Sequence, residues 1–253
     1  MDLNGQVVAI TGGGSGLGAG AARVLAKAGA RVALLDVNTA GAEAVARETG
    51  GLAVRCDVAS EASAVAALQA VTAALGAPRI LVNCAGIGPS ARIVGRDGPH
   101  PLDLYRKVIE INLVGTFNML RLAAAAMQAL EPMADGERGV IVNTASVAGF
   151  EGQIGQAAYA SSKGGVIALT LPAARELARF GIRVMTIAPG TFETPMLATI
   201  SEEFRKSLAA QVPFPPRLGR PEEYGALVRH ICESPMLNGE TIRLDGAIRM
   251  GPK

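Results

Sequence analysis

A chain of 253 residues, 49% of them hydrophobic, can bury a large core, and its 24 basic and 22 acidic residues leave a formal net charge of +2. With no long run of like charge, the sequence predicts neither a nucleic-acid surface nor a membrane-binding patch. Three widely spaced cysteines and two histidines, without a C-x-x-C pair, predict neither a disulfide framework nor a metal site, and they favour a reducing compartment.

The start of the chain and its most apolar segment bear on where the protein resides. The sequence MDLNGQVVAIT runs directly into a strand-like stretch, without a charged leader and an apolar signal core. The run that comes nearest to a membrane span, NLVGTFNMLRLAAAAMQAL, is interrupted by Arg121. We therefore expect a cytoplasmic protein without a membrane anchor.

Short apolar runs rich in β-branched residues alternate along the chain with alanine-rich helical patterns. The predicted strands are 6–11, 31–36, 52–57, 79–83, 139–144, 182–188 and 241–245. The predicted helices lie near 16–28, 39–49, 60–75, 102–130, 157–180 and 221–232. Strands that are apolar on both faces suit a parallel sheet covered by helices on both sides. The alternation predicts a single doubly wound α/β domain of the Rossmann type, spanning residues 1–253.

The stretch AITGGGSGLGAG, residues 9–20, joins the first predicted strand to the first predicted helix. Glycines at positions Gly12, Gly16 and Gly18 would let the backbone approach a pyrophosphate, and the helix N-terminus supplies N–H donors. The alternative is a tight turn that binds nothing, but so many glycines are costly in chain entropy for a mere turn. We interpret this stretch as a phosphate loop.

Acidic and polar residues follow the next three predicted strands. Asp36 could accept hydrogen bonds from the adenosine ribose and would repel a 2′-phosphate, which favours NAD over NADP; the alternative is a helix N-terminal acid. Asp57 could bind the adenine amino group or cap the helix that begins after Ser60. The sequence NCAG, residues 83–86, ends the fourth strand where the strand order should reverse, and cofactor clefts lie at such points.

Four residues could act on a substrate near the nicotinamide. Tyr159 and Lys163 are one turn apart on a predicted helix, Ser146 lies just past the fifth strand, and Asn112 lies in the preceding long helix. A phenol has a pKa near 10, which a neighbouring ammonium and the cationic ring would lower. Tyr159 could then exchange the hydroxyl proton, while Ser146 stabilises the same oxygen. Lys163 would also hold the ribose, and Asn112 a water that relays the proton.

These features resemble the classical short-chain dehydrogenase/reductase family. The resemblance spans nearly the whole chain and rests on TGGGSGLG (11–18), Asp57, NCAG (83–86), Asn112, Ser146, YASSK (159–163) and PGTFETP (189–195). It implies a seven-stranded parallel sheet and a homotetramer. The motifs add to the predicted cofactor site Gly12, Gly16, Gly18, Asn83, Ala85, Gly86, Pro189 and Thr194.

Within that family, several segments are similar to the type-2 3-hydroxyacyl-CoA dehydrogenases. They are residues 139–165, 181–197, 211–224 and 237–250, and the polar loops 88–101 and 131–138 fall where that group carries insertions. This resemblance implies NAD contacts from Ser15, Leu17, Asp36, Asp57, Val58, Cys84, Tyr159, Lys163 and Phe192. Cys84 would contribute through its backbone.

The substrate site is predicted from Ser146, Tyr159 and Gln156 and from a long segment at about 190–220. Gln153 and Gln156 could donate to a substrate carbonyl or serve structural roles. Apolar residues recur every four positions in the long segment, at Met196, Ile200, Phe204 and Leu208. This spacing predicts an amphipathic helical lid over an apolar pocket, or alternatively a face packed permanently on the body.

The resulting hypothesis is an NAD-dependent oxidoreductase that interconverts secondary alcohols and ketones. By resemblance, its substrates would be 3-hydroxyacyl-CoA and 3-oxoacyl-CoA. A hydroxysteroid or other lipophilic alcohol dehydrogenase is one alternative, and a non-catalytic NAD-binding scaffold subunit is another.

Overall fold

Seven parallel strands form the centre of the computed structural model, which describes residues 1–195 and 202–252. In chain order they are β1 (Val7–Thr11), β2 (Arg31–Asp36), β3 (Leu52–Arg55), β4 (Ile80–Asn83), β7 (Gly139–Thr144), β8 (Ile182–Pro189) and β9 (Thr241–Leu244). A separate two-stranded hairpin is formed by β5 (Val94–Gly95) and β6 (Gly98–Pro99). The prediction of a seven-stranded parallel sheet is confirmed.

The strand order is β3-β2-β1-β4-β7-β8-β9, so the direction of winding reverses between β1 and β4. These two strands are in register, with Thr11 opposite Asn83 at their carboxyl ends. A crevice opens beside the sheet at such a reversal, and open α/β sheets bind their ligands there. The structure thereby confirms the predicted switch point after the fourth strand.

Eight α-helices surround the sheet in the described part of the chain. They are α1 (Gly16–Lys27), α2 (Thr39–Thr49), α3 (Glu61–Leu75), α4 (Leu102–Ile109), α5 (Gly115–Gln128), α6 (Ala157–Leu177), α7 (Glu202–Ala210) and α8 (Pro221–Glu233). Val8 and Ile10 pack into a core with α1, α2 and α8, whereas Val7 and Ala9 pack with α3, α5 and α6. Alternate residues of a buried strand thus serve two helical layers, as the doubly wound prediction requires.

Two predicted elements near the site differ from the structure. The third strand ends at Arg55 rather than at residue 57, so Asp57 lies in the following turn. The long helix predicted over 102–130 is interrupted by a π-helical turn, Glu110–Val114, which separates α4 from α5. This turn carries Asn112, whose buried side chain is bonded to the loop after β4. A pattern of apolar spacing does not distinguish a five-residue π turn from the α-helix around it.

The predicted lid is described only in part. Met196 and Ile200 lie outside the described residues, and Phe204 lies on α7, of which the backbone is helical. Leu208, on the same helix, is half-buried. The lid therefore stays a prediction.

One segment in the described part of the chain, Leu102–Gln128, would pass a length and composition test for a membrane span, with a mean hydropathy of 1.3. Half of its most apolar window is buried inside the domain. Its buried residues Met119, Ala123 and Met127 contribute to the core on one face of the sheet. The helix thus has a partner within the protein, which accounts for its apolar composition.

Candidate active site

The loop between β1 and α1 is shaped by glycines at close backbone contacts. Gly12 has a φ of +62°, and a Cβ there would lie 2.8 Å from the amide nitrogen of Ala85. Gly16 has a φ of +50°, and a Cβ at Gly18 would collide with the carbonyl group of Gly12. Only glycine fits such positions without strain. The predicted phosphate loop is therefore a tight turn packed against the loop that follows β4.

The first turn of α1 presents backbone donors toward a cavity. Ser15 is the N-cap residue, but its hydroxyl makes no capping hydrogen bond, and the N–H groups of a first turn have no acceptor within the helix. A cavity of about 410 Å³ is lined by Ser15 and Gly16 of this turn, and also by Arg23 and Thr194. Leu17, in contrast, packs against the core. This helix end can hold an anionic group such as a pyrophosphate.

Asp36 braces the phosphate loop with its carboxylate. Its Oδ2 accepts a hydrogen bond from the Gly14 N–H at 2.9 Å, and its Oδ1 accepts one from the Asn38 N–H at 2.9 Å. The α2 helix has its own cap, because the Asn38 side chain accepts from the Gly41 N–H. Asp36 is thus not needed as a capping acid, and each of its oxygens keeps a lone pair for a ribose hydroxyl.

Asp57 and Val58 lie in the turn after β3. Asp57 Oδ1 accepts from the Ala59 N–H at 3.0 Å, while α3 is capped by Ser60. The helix-capping alternative for Asp57 is therefore wrong, and its contact with adenine stays a prediction. The Val58 side chain is buried, and a Cβ at Gly115 would lie 2.6 Å from it. Any contact between Val58 and a cofactor would have to use its backbone.

Asn83 ties strands together at the end of β4. Its Nδ2 donates to Asn143 Oδ1 at 2.9 Å, and the residue is only 3% exposed. The N–H groups of Cys84 and Ala85 both donate to Thr11 Oγ1, at 3.1 and 3.2 Å. The side chain of Asn83 and the hydroxyl of Thr11 therefore hold the NCAG loop in place, and cofactor contacts there would fall to the backbone.

The Cys84 thiol is enclosed behind this loop. Burial raises its pKa, while hydrogen bonds with Tyr224 and Thr144 and the charge of Lys163 lower it by less. A thiol with a raised pKa stays protonated at neutral pH and is a poor nucleophile. This agrees with the expectation that Cys84 contributes through its backbone.

The PGTFETP segment leaves the sheet at the carboxyl end of β8, of which Pro189 is the last residue. Phe192 is buried with its ring against Gly219, so its side chain faces the core. Thr194 lines the cavity beside α1.

Thr191 is absent from the predicted site, yet its Oγ1 is buried without a hydrogen-bond partner among the described residues. A buried hydroxyl in that state calls for a ligand or a water as its partner.

Tyr159 and Ser146 meet at the same edge of the sheet. Ser146 caps the short 3-10 turn Val147–Gly149, and its Oγ accepts from the Ala148 N–H at 3.1 Å. Burial raises the pKa of the Tyr159 phenol above its usual value, and a hydrogen bond with Ser146 lowers it by less. The sequence led us to expect a lowered pKa. In the protein without a cofactor, desolvation raises the pKa of Tyr159 by more than the hydrogen bond with Ser146 lowers it, so the phenol is protonated at neutral pH.

Lys163 follows Tyr159 by one turn of α6 and is only 5% exposed. Its Nζ donates to the Thr144 carbonyl oxygen at 2.8 Å and lies 5.8 Å from the centre of the Tyr159 ring. Burial lowers its pKa to about 8, against a smaller opposite influence of Cys84. One of the three ammonium hydrogens is used on Thr144, so two are available for a ligand.

Asn112 is fully buried in the π-helical turn. Its Nδ2 donates to the Ile87 carbonyl at 2.9 Å and to Ser162 Oγ at 3.0 Å, and its Oδ1 accepts from the Ile87 N–H at 2.8 Å. A Cβ at Gly86 would lie 3.2 Å from that Oδ1 and 3.6 Å from Lys163 Nζ. Both Nδ2 hydrogens are occupied, so the predicted water could be held only by an oxygen of Asn112.

A second cavity, of about 350 Å³, lies between the 88–101 loop and the start of α6. Its lining includes Arg92, Ile93, Val94, Ile154, Gln156 and Ala160. Gln156 Oε1 accepts from the Gln153 N–H at 3.0 Å, and Gln153 Nε2 donates to the Gly251 carbonyl at 3.2 Å. Gln153 thus fastens the C-terminal segment, whereas Gln156 keeps its amide hydrogens for the cavity.

The assembled residues suit a dinucleotide and an oxygen-bearing substrate. The first turn of α1 and the carboxylate of Asp36 lie beside the switch point, and the unpaired hydroxyl of Thr191 follows the carboxyl end of β8. Tyr159, Ser146 and Lys163 add a protonated phenol, a second donor and a buried ammonium. Such a set can move a proton to or from a substrate oxygen while stabilising its charge.

Comparison with known proteins gives the same assignment. Residues 6–205 match the model of the short chain dehydrogenase family. The chain is 51% identical to human 3-hydroxyacyl-CoA dehydrogenase type-2, covering 99% of this chain and 97% of that protein. It is 51% identical to the Drosophila melanogaster protein of the same name, covering 99% and 100%. A crystal structure of the Mycobacterium avium protein of that name is 44% identical, with a TM-score of 0.93 over 98% and 97% of the chains.

Proposed function

Because this chain belongs to the short-chain dehydrogenase family, an enzyme family that uses a nicotinamide cofactor on small molecules, we propose that it is an NAD-dependent 3-hydroxyacyl-CoA dehydrogenase. The observation that carries the proposal is the grouping of Tyr159, Ser146 and buried Lys163 at the carboxyl edge of the sheet, where Lys163 is bonded to the end of β7 and lies beside Gly86 of the loop after β4. The names of the relatives over almost their full length support the acyl-CoA substrate.

In the reductive direction Tyr159 is the proton donor. The phenol is neutral at physiological pH because burial raises its pKa, so it can give its proton to the oxygen of a 3-oxo group. NADH, when bound, would supply the hydride for the carbon of that group. Ser146 donates a hydrogen bond to the same oxygen, which stabilises the negative charge that develops on it. In the oxidative direction the Tyr159 oxygen takes the proton from the 3-hydroxyl group.

Lys163 and Asn112 support this exchange. The Lys163 ammonium would hold the ribose with the hydrogens that Thr144 leaves free, and its charge stabilises the phenolate once the proton has left. Asn112 fixes the loop after β4 against α6 through its amide. It thereby holds the floor of the site, including Gly86, beside the ammonium.

NAD is proposed as the cofactor on the strength of Asp36. Its carboxylate lies at the end of β2 against the phosphate loop, and no arginine or lysine is bonded to it in the described part of the chain. A 2′-phosphate would therefore meet an uncompensated negative charge. Gly12, Ser15, Gly16 and the Thr191 hydroxyl would hold the remainder of the cofactor.

The cavity between the 88–101 loop and α6 is proposed as the channel for the acyl-CoA arm. Its walls are largely apolar, with Ile93, Val94, Ile154 and Ala160, and Gln156 offers amide hydrogens within it. Arg92 at its edge makes no hydrogen bond or ion pair with the described residues, so its charge is available for a phosphate of the CoA arm. The inner part of the channel would thus contact the arm with apolar walls, and Arg92 would contact it at the rim.

The assembly and location of the enzyme are further parts of the proposal. The family resemblance favours a homotetramer. The three thiols of the described chain are unpaired, and burial raises the pKa of Cys56 to about 11 and that of Cys232 to about 12. Free, protonated thiols are compatible with a reducing compartment such as the cytoplasm.

The proposal is tested by steady-state reduction with NADH. We expect acetoacetyl-CoA to be reduced with a kcat/KM at least about 100-fold above that for free acetoacetate, because the remote arm supplies binding energy that positions the reacting carbon. Tyr159→Phe should lower kcat by at least about 100-fold, as expected for loss of a general acid. NADH binding, measured by fluorescence, should be retained.

Arg92→Gln tests the channel, with Arg96→Gln as the matched control in the same 88–101 loop. We expect the first change to raise the KM for acetoacetyl-CoA by roughly fivefold, the value of one exposed charge-assisted contact, and the second to have little effect. Equal efficiency with free acetoacetate, or with a steroid ketone, would replace the acyl-CoA assignment by the broader alcohol dehydrogenase. Binding of NADH without turnover of any ketone would instead favour the scaffold.

A further inference from the structure

Three polar side chains are enclosed together behind the carboxyl end of β7. The Tyr224 hydroxyl lies 2.8 Å from Thr144 Oγ1 and 3.5 Å from Cys84 Sγ, and Thr144 Oγ1 lies 3.5 Å from the same sulfur. They come from α8, from the end of β7 and from the loop after β4. Tyr224 has no exposed surface, Thr144 is 7% exposed, and Cys84 is partly buried. We call this group the Tyr224 triangle.

The hydrogens of the Tyr224 triangle can form a closed ring. Each member has one hydrogen to donate and at least one lone pair to accept. If Thr144 donates to Cys84, Cys84 to Tyr224 and Tyr224 to Thr144, every hydrogen of the group has an acceptor. Hydrogen bonds arranged in such a chain strengthen one another in a buried site. The triangle is therefore a satisfied polar unit within an apolar core.

The triangle is joined to the catalytic lysine through Thr144. The carbonyl oxygen of that residue accepts the hydrogen bond from Lys163 Nζ at 2.8 Å. The Cys84 thiol and the Lys163 ammonium also influence each other electrostatically. Thr144 therefore binds the Lys163 ammonium through its main-chain carbonyl and is itself bound by Tyr224 through its side-chain hydroxyl.

We infer that Tyr224 is a positioning residue for the reaction. Through its contacts with Thr144 and Cys84 it holds in place the Thr144 carbonyl, which accepts the hydrogen bond from the Lys163 ammonium. This inference rests on the proposed function, in which Lys163 supports Tyr159 and holds the ribose. Without the phenolic oxygen, the Thr144 hydroxyl and the Cys84 thiol each lose a partner, and the burial of Thr144 keeps water from replacing that partner at its hydroxyl. Both side chains must then rearrange, and the Thr144 carbonyl shifts with them.

Tyr224→Phe is the primary test, since it removes one oxygen from a fully buried ring. We expect kcat for ketone reduction to fall roughly 5- to 30-fold, less than the about 100-fold that a 1 Å misplacement can cause. The KM for the ketone should change little, because Tyr224 does not line the substrate cavity. Tyr105→Phe, which removes the hydroxyl of a tyrosine on α4, is the matched control and should leave kcat unchanged.

The dependence on pH separates positioning from a purely structural role. Lys163 faces the Tyr159 phenol on its own helix and the Cys84 thiol from the β4 loop, with the Tyr224 phenol behind them. Burial lowers its pKa to about 8, and the Thr144 carbonyl favours the charged form. If the hydrogen bond from Lys163 to the Thr144 carbonyl weakens, the pKa of Lys163 falls further. In Tyr224→Phe the alkaline loss of kcat should therefore move to lower pH. The alkaline weakening of NADH binding should move in the same direction.

Variants of Thr144 provide a second test that does not depend on the folding of Tyr224→Phe. Thr144→Val removes the hydroxyl at nearly constant shape and should reproduce both effects, whereas Thr144→Ser keeps the hydroxyl and should recover most of kcat. The double variant Tyr224→Phe with Thr144→Val should lose little more than either single change, because both break one unit.

The inference is overturned if Tyr224→Phe or Thr144→Val lowers the thermal midpoint while kcat and both pH dependences stay as in the wild type. Additive losses in the double variant would also contradict it. Its failure is distinguishable from failure of the proposed substrate. If the wild type reduces another ketone but not acetoacetyl-CoA, the same comparisons are made with that ketone and with NADH binding.

Discussion

Asp36 shows how one side chain serves structure and specificity together. Its carboxylate accepts hydrogen bonds from Gly14 of the phosphate loop and from Asn38 ahead of α2, and each of its oxygens keeps an unused lone pair. The negative charge that shapes the loop is thus the charge that a 2′-phosphate would meet. Thr191 is a second example, because its hydroxyl is buried without a partner in the described chain although its backbone carbonyl is paired.

We predict that the wild type prefers NADH over NADPH by at least about 100-fold in kcat/KM, since each hydrogen bond to a charged group contributes about 1.5–3 kcal/mol. Asp36→Asn removes the charge at constant size, and Asp36→Ala removes the bonds to the backbone as well. Both variants should narrow the preference, and Asp36→Ala should also weaken NADH binding by loosening Gly14. Comparable kcat/KM for both cofactors in the wild type would contradict this assignment.

At the scale of elements, α8 has the most heavily anchored start in the described chain. Glu223 accepts two hydrogen bonds from Arg217, at 2.6 and 2.8 Å, and a third from the Arg220 N–H at 2.7 Å. These hydrogen bonds lower the pKa of Glu223 to about 2, and those from Arg217 have the largest effect. Because α8 carries Tyr224, the anchor also fixes the helix from which the Tyr224 triangle is built.

Glu223→Gln should therefore destabilise the protein at neutral pH. The side chain is 42% exposed, so after allowance for solvent screening we expect a loss of only about 1 kcal/mol, or about 2–4 °C in thermal midpoint. A carboxylate with a depressed folded-state pKa stabilises fully above its unfolded value of about 4.3, and that stabilisation is lost as the pH falls.

The difference between wild type and Glu223→Gln should accordingly be constant above about pH 5 and vanish toward pH 2, the folded-state pKa. Thermal midpoints measured from pH 7 to pH 3 check this course. Glu222→Gln is the matched control, because the Glu222 carboxylate has only a 3.9 Å contact with Arg23 and is 52% exposed. A pH-independent difference would mean that the ionic anchor is not the cause.

At the scale of the molecule, apolar side chains remain exposed on one helical face outside the two cores. Val114 and Phe117 are one turn apart and are 40% and 48% exposed. A neighbouring pair of large apolar residues on a helix suits burial against another subunit. The homotetramer proposed from the family resemblance gives this face a partner of the same sequence.

We predict that light scattering after gel filtration gives four times the chain mass of 25.8 kDa. Phe117→Glu should shift the mass toward smaller species, because burying an unpaired carboxylate in a subunit interface is costly. Ala66→Glu, a new charge at an exposed position of α3, should leave the mass unchanged. A monomeric wild type would refute the tetramer, and an unchanged mass in Phe117→Glu would remove this helical face from the interface.

Local patterns in the sequence were sufficient for the sheet, most helix bounds and the grouping of Tyr159, Lys163 and Ser146. The reason is that strand and helix periods, glycines at a βα turn and one-turn spacings are properties of neighbouring residues. The boundaries that failed, at Arg55 and at the π turn around Asn112, depend on hydrogen bonds to other segments.

The raised pKa of Tyr159, the unpaired hydroxyl of Thr191 and the Tyr224 triangle could not be derived in that way. Each depends on which groups from distant parts of the sequence lie close in space and on how completely water is excluded. Tertiary packing decides both of these conditions. Tyr224 lies on α8, 80 residues along the chain from its hydrogen-bond partner Thr144 at the end of β7. Its spacing along the chain predicts only a buried helical residue, because hydrogen bonding and desolvation act through space.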